Sequence, residues 1–281
     1  MQVIYKIPEL ALYIERLKKQ NLEIGFVPTM GALHEGHLSL IGNSKKRCPV
    51  TLTSIFVNPT QFNDPNDLKN YPRDLETDLK KLASASCDAV FVPSESDMYP
   101  EKDTRVFDFD GIDTLMEGEH RPGHFNGVAQ IVSKLFDLVN PDVAFFGQKD
   151  FQQVAIIRKM VKKLNLNVQI VACPIIRETD GLAMSSRNLL LTEEHRKIAP
   201  LIHQTLMQAV AKSNGLSVPQ IKSWVVETIN QSGLLKVEYF EVVDDQQLIP
   251  SKTFKNGKNN IGCIAVWAGN IRLIDNISFN L

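Results

Sequence analysis

Short apolar runs alternate with amphipathic stretches as far as residue 176, and this alternation constrains the fold more than any other feature. One strand and one helix recur about every 30 residues, which is the length of a βαβ unit. The predicted strands cover 24–27, 50–57, 89–92, 143–146 and 168–172. The predicted helices begin at Pro8 and Leu38 and recur around 75–82, 128–139 and 151–164. Right-handed crossovers between such strands predict an α/β fold with a Rossmann-like, doubly wound parallel sheet and helices on both faces.

The pattern changes after Arg177. Thr192, followed by two glutamates, and Ser217 each begin a predicted helix as its N-cap. Apolar runs at 237–243, 261–268 and 271–274 follow, separated by turns that include Lys255-Asn256-Gly257-Lys258. We therefore predict a nucleotide-binding domain over 1–176. A smaller C-terminal α+β lid domain over 177–281 would hold two helices and a small antiparallel sheet.

Composition limits the class of protein. The 281 residues are 43% hydrophobic and 22% charged, which is typical of a soluble globular protein. A formal net charge of -1 gives no electrostatic reason to expect a nucleic-acid partner. No apolar run is long enough to cross a bilayer, and the N-terminus lacks the pattern of a secretion signal. We expect a cytoplasmic protein without a membrane partner, whose four scattered cysteines are buried, reduced thiols rather than disulfides or zinc ligands.

Two histidines lie in the loop between the first of these strands and the next helix. His34 and His37 are separated by Glu35 and Gly36. This arrangement would place two imidazoles and several free backbone N–H groups at a helix N-terminus, where an anion is favoured. A phosphate site is predicted, and a surface turn with two solvated histidines is the alternative. The spacing His-x-Gly-His resembles the nucleotide-binding signature of the superfamily that includes class I aminoacyl-tRNA synthetases.

Polar clusters follow four of the five predicted strands. Ligands of open parallel sheets bind outside the carboxyl ends of the strands, so these clusters are expected to meet. They comprise Pro28, Thr29 and Met30; Asn58 to Gln61; Gly147, Gln148, Lys149 and Asp150, with Gln153; and Ile176 to Gly181 with Met184 to Asn188. Any one cluster is explained as an ordinary loop. Their convergence on one edge predicts a single site.

Five runs of sequence occur together and in order. They are Phe-Val-Pro-Thr-Met-Gly-Ala-Leu-His-Glu-Gly-His, Ser-Ile-Phe-Val-Asn-Pro-Thr-Gln-Phe, Tyr-Pro-Arg, Phe-Gly-Gln-Lys-Asp and Ala-Met-Ser-Ser-Arg-Asn. Together they resemble the pantothenate synthetase (pantoate–β-alanine ligase) family as far as residue 188. The resemblance implies ATP-dependent joining of pantoate to β-alanine through a pantoyl-adenylate, with release of AMP and pyrophosphate and with Mg²⁺ accompanying ATP. It also suggests a homodimer, for which residues 54–56 with the following loop are candidate contacts.

Chemistry and resemblance together assign the catalytic roles. Attack of a carboxylate on the α-phosphorus requires in-line positioning and relief of charge on the phosphate oxygens. His37 and His34 would donate hydrogen bonds to these oxygens, and the resemblance implies His37 as the catalytic imidazole. Lys149 supplies a point charge, unless it is a solvated surface lysine. The Ser-Ser-Arg run ending at Arg187 resembles the mobile second signature of the superfamily, which holds the pyrophosphate end.

The expected ligand contacts extend beyond these groups. ATP contacts are expected from Met30, Gly31, Ala32, Leu33, His34, Glu35, Gly36, His37, Gly147, Gln148, Lys149, Asp150, Ile176, Met184, Ser185, Ser186 and Arg187. Substrate contacts are expected from Gln61, Gln153, Pro28, Thr29 and Met30, because neutral amides suit the hydroxyls and carboxylate of pantoate. Two alternatives stay open: Asp150 as a helix cap, and Met30 and Met184 as core residues.

Acidic and histidine clusters elsewhere are given structural interpretations. Asp74, Glu76 and Asp78 begin a helix, and N-terminal helix charge is preferred over a metal site, so no protein ligand for a metal is expected. His120 and His124 have no cysteine or third histidine nearby, which disfavours zinc. Their segment is predicted to shape the pantoate pocket.

Two other functions remain as alternatives. A plain nucleotidyltransferase would share the histidine signature but would consume no amine, and it gives no reason for the positions of Gln61 and Gln153. A tRNA- or nucleotide-binding module without chemistry would need the basic stripe that this chain lacks.

Overall fold

The computed structural model describes residues 1–254 and 259–279, which form two compact units. The first unit comprises 1–148 and 153–174, and the second comprises 149–152 and the described residues from 175 onward. The predicted turn Lys255-Asn256-Gly257-Lys258 lies outside the described residues. The domain boundary at 176 stays a prediction.

The first unit is built on a six-stranded parallel sheet. Its strands are β1 (Gln2–Ile4), β2 (Ile24–Thr29), β3 (Val50–Ile55), β4 (Ala89–Phe91), β5 (Val143–Gly147) and β6 (Gln169–Cys173). Their order across the sheet is β1-β4-β3-β2-β5-β6. The chain therefore runs outward from β2 to β4 on one side and from β5 to β6 on the other. This reversal between β2 and β5 creates the crevice in which sheets of this kind bind ligands.

Helices cover both faces of this sheet, as predicted. They are α1 (Ile7–Lys19), α2 (Glu35–Arg47), α3 (Pro65–Asn70), α4 (Leu75–Ser84), α5 (Glu95–Met98), α6 (Glu117–His120), α7 (His124–Val139) and α8 (Phe151–Lys163). Leu10 of α1 and Val128 of α7 belong to the same core cluster as Phe26. Ile41 of α2 packs in a second cluster with Val27. Because successive side chains of a strand point to opposite faces, Phe26 and Val27 define the two layers of core.

Some short elements of the first unit were not predicted. Strand β1 has three residues at the edge of the sheet, and α5 and α6 have four residues each. Segments of this length are too short to show a hydrophobic period. Over the described residues, no helix combines the length and the apolar character that a bilayer span requires.

The second unit contains a three-stranded antiparallel sheet, as predicted. Its elements are α9 (Glu193–Ile198), α10 (Leu201–Lys212), α11 (Val218–Asn230), β7 (Leu235–Asp244), β8 (Asn260–Ala268) and β9 (Ile271–Ser278). The prediction of two helices here is wrong because α10 was missed. Pro200 stands at its N-cap position and makes no side-chain cap, although Ile202, Leu206 and Ala209 form a buried helical stripe.

Burial bears on two further predictions. All four cysteines are buried and free of disulfides, as their apolar surroundings predict. Ser54, Ile55 and Phe56 are at most 9% exposed within their own chain, so they offer little surface for a dimer contact, and a contact through the loop that follows them stays a prediction.

Helix α7 approaches the turn after β3 so closely that only glycine fits at position 127. A Cβ there would lie 2.3 Å from the Thr60 carbonyl oxygen and 2.8 Å from the Gln61 nitrogen. We expect Gly127→Ala to force the turn away from the helix and to lower the free energy of unfolding by about 1–3 kcal/mol. Denaturant-induced unfolding measures this change in the free energy of unfolding.

Gly42→Ala is the matched control in a helix. A Cβ at Gly42 meets no atom within 4 Å, so the substitution should be neutral or stabilise the chain by up to about 1 kcal/mol. Equal unfolding free energies for the two variants would contradict the close approach.

Candidate active site

The loop after β2 holds its two histidines in defined tautomers. His34 is the N-cap of α2, and its Nδ1 accepts the Gly36 N–H at 3.1 Å. His37 Nδ1 accepts the His34 N–H at 3.3 Å. A backbone N–H only donates, so neither Nδ1 carries a proton in these contacts and the ring proton lies on Nε2. With ring centroids 4.1 Å apart, the loop presents two Nε2–H donors as a fixed pair.

The prediction of free backbone N–H groups in this loop is wrong. Six backbone N–H groups already donate a hydrogen bond within the protein, those of Gly31, Ala32, Leu33, His34, Gly36 and His37. Ala32 and Leu33 donate to the Asp78 carboxylate at 2.9 and 2.7 Å. Anion binding by this segment therefore depends on its side chains.

The sequence predicted that Asp78 is one of the acidic residues that stabilise the start of α4, but the structure shows it buried. Asp74 does cap α4, accepting the Thr77 N–H, but Asp78 is only 2% exposed. Burial raises the pKa of the Asp78 carboxyl, while the bonds from Leu33 and Ala32 oppose that shift. A signal was present in the sequence: position 78 falls on the apolar stripe of the helix, between Leu75 and Leu82.

A chain of hydrogen bonds orients the Gln61 amide. The Gly127 carbonyl can only accept, so Asn58 directs its Nδ2 toward that oxygen, at 3.1 Å. The same nitrogen donates to Gln61 Oε1 at 3.1 Å. Gln61 Nε2 consequently lies on the other side, 3.0 Å from Met30 Sδ. Tyr99 fixes the far end of the chain by donating its hydroxyl to Asn58 Oδ1 at 2.7 Å.

His124 supports the same turn from α7. Its Nδ1 lies 2.7 Å from the Gln61 carbonyl oxygen, which requires an Nδ1–H donor. Its Nε2 then accepts from Arg121 Nη1 at 3.2 Å. Both ring nitrogens of His124 are used in this way, which disfavours zinc binding by this ring, and the pocket-shaping role of its segment stays a prediction. In the described residues, no group of three or more His, Cys, Asp or Glu could hold a metal ion.

Several other predicted residues of the first unit act inside the fold. The Thr29 hydroxyl donates to the Ser54 carbonyl at 2.7 Å and accepts the Gly31 N–H at 3.2 Å. Leu33 is 2% exposed and packs in the core beneath the loop. The Gln148 N–H donates to the Cys173 carbonyl at 2.8 Å, at the carboxyl end of β5. The structure thus brings Pro28, Met30, the histidines and Gln61 to neighbouring strand ends, while Gln153 lies half-buried on α8.

The second unit contains the other group of predicted residues. The Met184 N–H donates to the Ile176 carbonyl at 3.0 Å, and the Arg187 N–H donates to Ser185 Oγ at 3.3 Å. Ser186 is 8% exposed, whereas Arg187 is half-buried. Lys149 and Ser185 line one small cavity of this unit, together with Asn188 and Asp275.

Two buried residues of β9 support these loops and were missed by the sequence analysis. Asn276 Nδ2 donates to the Lys149 carbonyl at 2.9 Å. Asp275 accepts two hydrogen bonds from the Arg177 guanidinium, at 2.7 and 2.9 Å. The signal was the Asp-Asn pair between the apolar residues Ile274 and Ile277 of this strand, where unpaired polar groups are costly.

Known proteins match the chain along its length. The sequence pattern of the pantoate-beta-alanine ligase family matches residues 2–278. A pantothenate synthetase of Porphyromonas gingivalis is 50% identical over 279 residues, which are 99% of each chain. The crystal structure of a pantothenate synthetase from Thermus thermophilus superposes with a TM-score of 0.93 at 38% identity and covers 100% of both chains.

A second solved structure carries ligands. It is a pantoate-beta-alanine ligase from Francisella tularensis complexed with beta-gamma ATP and beta-alanine, with a TM-score of 0.84 and 37% identity over 99% of this chain and 98% of that one. The family pattern and the relatives agree over nearly the whole sequence, so this chain belongs to the pantoate–β-alanine ligase family.

Proposed function

We propose that this chain condenses pantoate with β-alanine at the expense of ATP, through a pantoyl-adenylate. Membership of the family supports the reaction. One observation of the structure carries the assignment of the site: two Nε2–H imidazoles are held as a pair at the strand end beside the β2–β5 crevice. The Francisella relative was crystallised with a form of ATP and with β-alanine, and these correspond to two of the three substrates of the proposed reaction.

In the first step, a pantoate carboxylate oxygen attacks the α-phosphorus of ATP. A new P–O bond forms, and the bond from the α-phosphorus to the pyrophosphate oxygen breaks. Negative charge grows on the phosphate oxygens, where fixed donors lower the barrier most. We assign this role to the Nε2–H groups of His37 and His34. Lys149 and Arg187 are assigned to the leaving pyrophosphate as cations, and Ser185 and Ser186 as hydroxyl donors.

In the second step, the β-alanine amine attacks the pantoyl carbonyl carbon. A C–N bond forms, the C–O bond to AMP breaks, and the amine loses a proton. Gln61 and Gln153 are assigned to pantoate, with Pro28, Thr29 and Met30 forming the wall behind it. Because Asn58 fixes the Gln61 amide, Gln61 offers Nε2 as a donor, which suits a carboxylate or hydroxyl oxygen.

The nucleotide contacts are proposed over three segments, 30–37, 147–150 and 184–187, together with Ile176. In the first segment the hydrogen bonds to phosphate are assigned to side chains, because the amides of Ala32 and Leu33 are bound to Asp78. Mg²⁺ enters as part of the substrate MgATP. The acidic start of α4 is a poor fit for it, since Glu76 pairs with Lys80 and Asp78 accepts two amides.

We further propose that the protein is a cytoplasmic homodimer. ATP is a cytoplasmic substrate, and the four buried free thiols fit a reducing compartment. Light scattering on the purified chain should give twice the monomer mass, and a monomer mass at working concentrations would contradict the dimer.

A direct assay tests the reaction. Purified protein with MgATP, pantoate and β-alanine should release pyrophosphate and AMP in equal amounts. Release should require pantoate, and pantothenate should require both substrates. Pyrophosphate release that does not depend on pantoate would favour a plain nucleotidyltransferase instead.

Two amide variants, each matching the position of one ring nitrogen, separate the roles of the His37 ring nitrogens. Asparagine keeps an acceptor near the Nδ1 position but no donor near Nε2, whereas glutamine places an amide nitrogen near Nε2. We expect His37→Asn to reduce pantoate-dependent pyrophosphate release about 100-fold, which corresponds to one lost charge-stabilising donor. His37→Gln should retain clearly more activity. Equal rates for the two variants, measured with matched thermal stability, would contradict the Nε2–H assignment.

Gln61→Glu tests the polarity of the pantoate site. The carboxylate is isosteric, but it cannot donate and it repels an anionic substrate. We expect the KM for pantoate to rise about tenfold or more, with little change in the KM for ATP. Steady-state kinetics with each substrate varied in turn measures both constants. A proportional rise in both KM values would show a general distortion and would contradict a pantoate-specific donor.

A further inference from the structure

Helix α4 holds the residues before the histidine pair through two of its side chains. The Asp78 carboxylate accepts the Ala32 N–H at Oδ2 and the Leu33 N–H at Oδ1, at 2.9 and 2.7 Å. One turn further along, Lys81 Nζ donates to the Leu33 carbonyl at 2.5 Å. Both peptide groups that flank Leu33 are thus tied to one face of α4.

The segment held in this way has an unusual backbone. Gly31 has a φ of 79° and Ala32 a φ of 49°, so two successive residues lie in the left-handed region. For alanine this conformation costs of order 1 kcal/mol and persists only where the surroundings enforce it. A Cβ at Gly31 would lie 2.9 Å from Asp78 Oδ2, so the carboxylate sits directly against this turn. The bonds to Asp78 therefore enforce the loop conformation.

An ordinary core residue would not serve this purpose. Position 78 belongs to the buried stripe of α4, where leucine would pack without any desolvation of charge. The chain instead buries a carboxylate and satisfies it with two amides. Those same amides are the donors that a phosphate would use in a glycine-rich loop. The carboxylate consequently directs phosphate binding away from the backbone and toward the imidazoles.

We propose that Asp78 and Lys81 are positioning residues of the active site. They fix the turn at 31–33 so that the next residue, His34, directs its N–H at His37 Nδ1 and sets both rings as Nε2–H donors. We call the hydrogen bonds from Asp78 and Lys81 to the backbone of Ala32 and Leu33 the clamp. Loss of this clamp weakens ATP binding and leaves pantoate binding largely unchanged. The clamp deepens the proposed function and rests on it for the identity of the nucleotide.

Two substitutions on α4 have matched controls on the same helix. Asp78→Asn keeps the shape but turns an NH₂ group against a backbone N–H, and its control is Asp74→Asn at the exposed cap. Lys81→Met keeps the apolar stem but removes the donor to Leu33. Its control is Lys80→Met, since the Lys80 side chain is 73% exposed and pairs with Glu76 one turn away on the surface of the same helix.

Two measurements decide the proposal without requiring turnover. Calorimetric titration with MgATP should show a Kd raised about tenfold or more in Asp78→Asn and Lys81→Met, with both controls near the unmodified protein. Nitrogen-15 NMR of labelled histidine should show Nε2-protonated rings for His34 and His37 in the unmodified protein and a mixture of tautomers in Asp78→Asn. A merely structural role would lower thermal stability without changing the tautomers.

The opposite results would overturn the clamp. Wild-type MgATP affinity and wild-type ring tautomers in a folded Lys81→Met variant would do so, even if Asp78→Asn fails to fold. An equal rise in the Kd values for MgATP and pantoate in these variants would also contradict the proposed clamp. Failure of the ligase reaction would instead appear as pantoate-independent pyrophosphate release by the unmodified protein, and the tautomer spectra would still test the clamp.

Discussion

Backbone N–H groups can only donate hydrogen bonds and carbonyl groups can only accept them, and this fixed polarity orients the side chains of the candidate site in the first unit. A peptide N–H can only donate, which places the ring protons of His34 and His37 on Nε2. A peptide carbonyl can only accept, which turns the Asn58 amide and, through it, the Gln61 amide. The direction of each donor is therefore a property of the folded main chain. In the function proposed above, a substrate would meet donors that are already oriented, so little reorganisation would oppose the reaction.

The parallel sheet brings these main-chain groups to one place. Strands β3, β2 and β5 are neighbours, and the order of connection reverses between β2 and β5. The loops after these three strands therefore emerge side by side at one edge. The third loop begins at Gln148, whose N–H donates to the Cys173 carbonyl at the end of β6. Rigid neighbouring strands are what allow loops of irregular conformation to keep a fixed geometry.

The sequence predicted the α/β class, the strands of the parallel sheet except β1, and the antiparallel sheet, because each depends on hydrophobic periodicity along one stretch of chain. It also predicted that loops at the strand ends carry polar clusters, and the functional roles of those side chains stay predictions. It did not predict the partners of those loops. Asp78 and Asn276 act on residues 45 and 127 positions away, and a contact over such a separation leaves no periodic trace. Helix α10 was missed for a different reason. Its stripe of buried apolar residues is visible in the sequence, but Pro200 at its N-cap position provides no side-chain cap that marks the start.

Each unit contains a buried carboxylate beside a loop of the candidate site, and comparing the two carboxylates explains why polar residues interrupt apolar elements. Asp78 accepts two amides of the histidine loop, and Asp275 accepts two bonds from Arg177 next to the segment that ends at Arg187. Replacing a buried ionic group by a well-packed apolar one is often neutral or stabilising, so stability alone does not account for either residue. Both carboxylates instead satisfy donors of a loop that has no regular structure of its own. In each unit, a carboxylate on a regular element thereby gives the neighbouring loop a defined conformation.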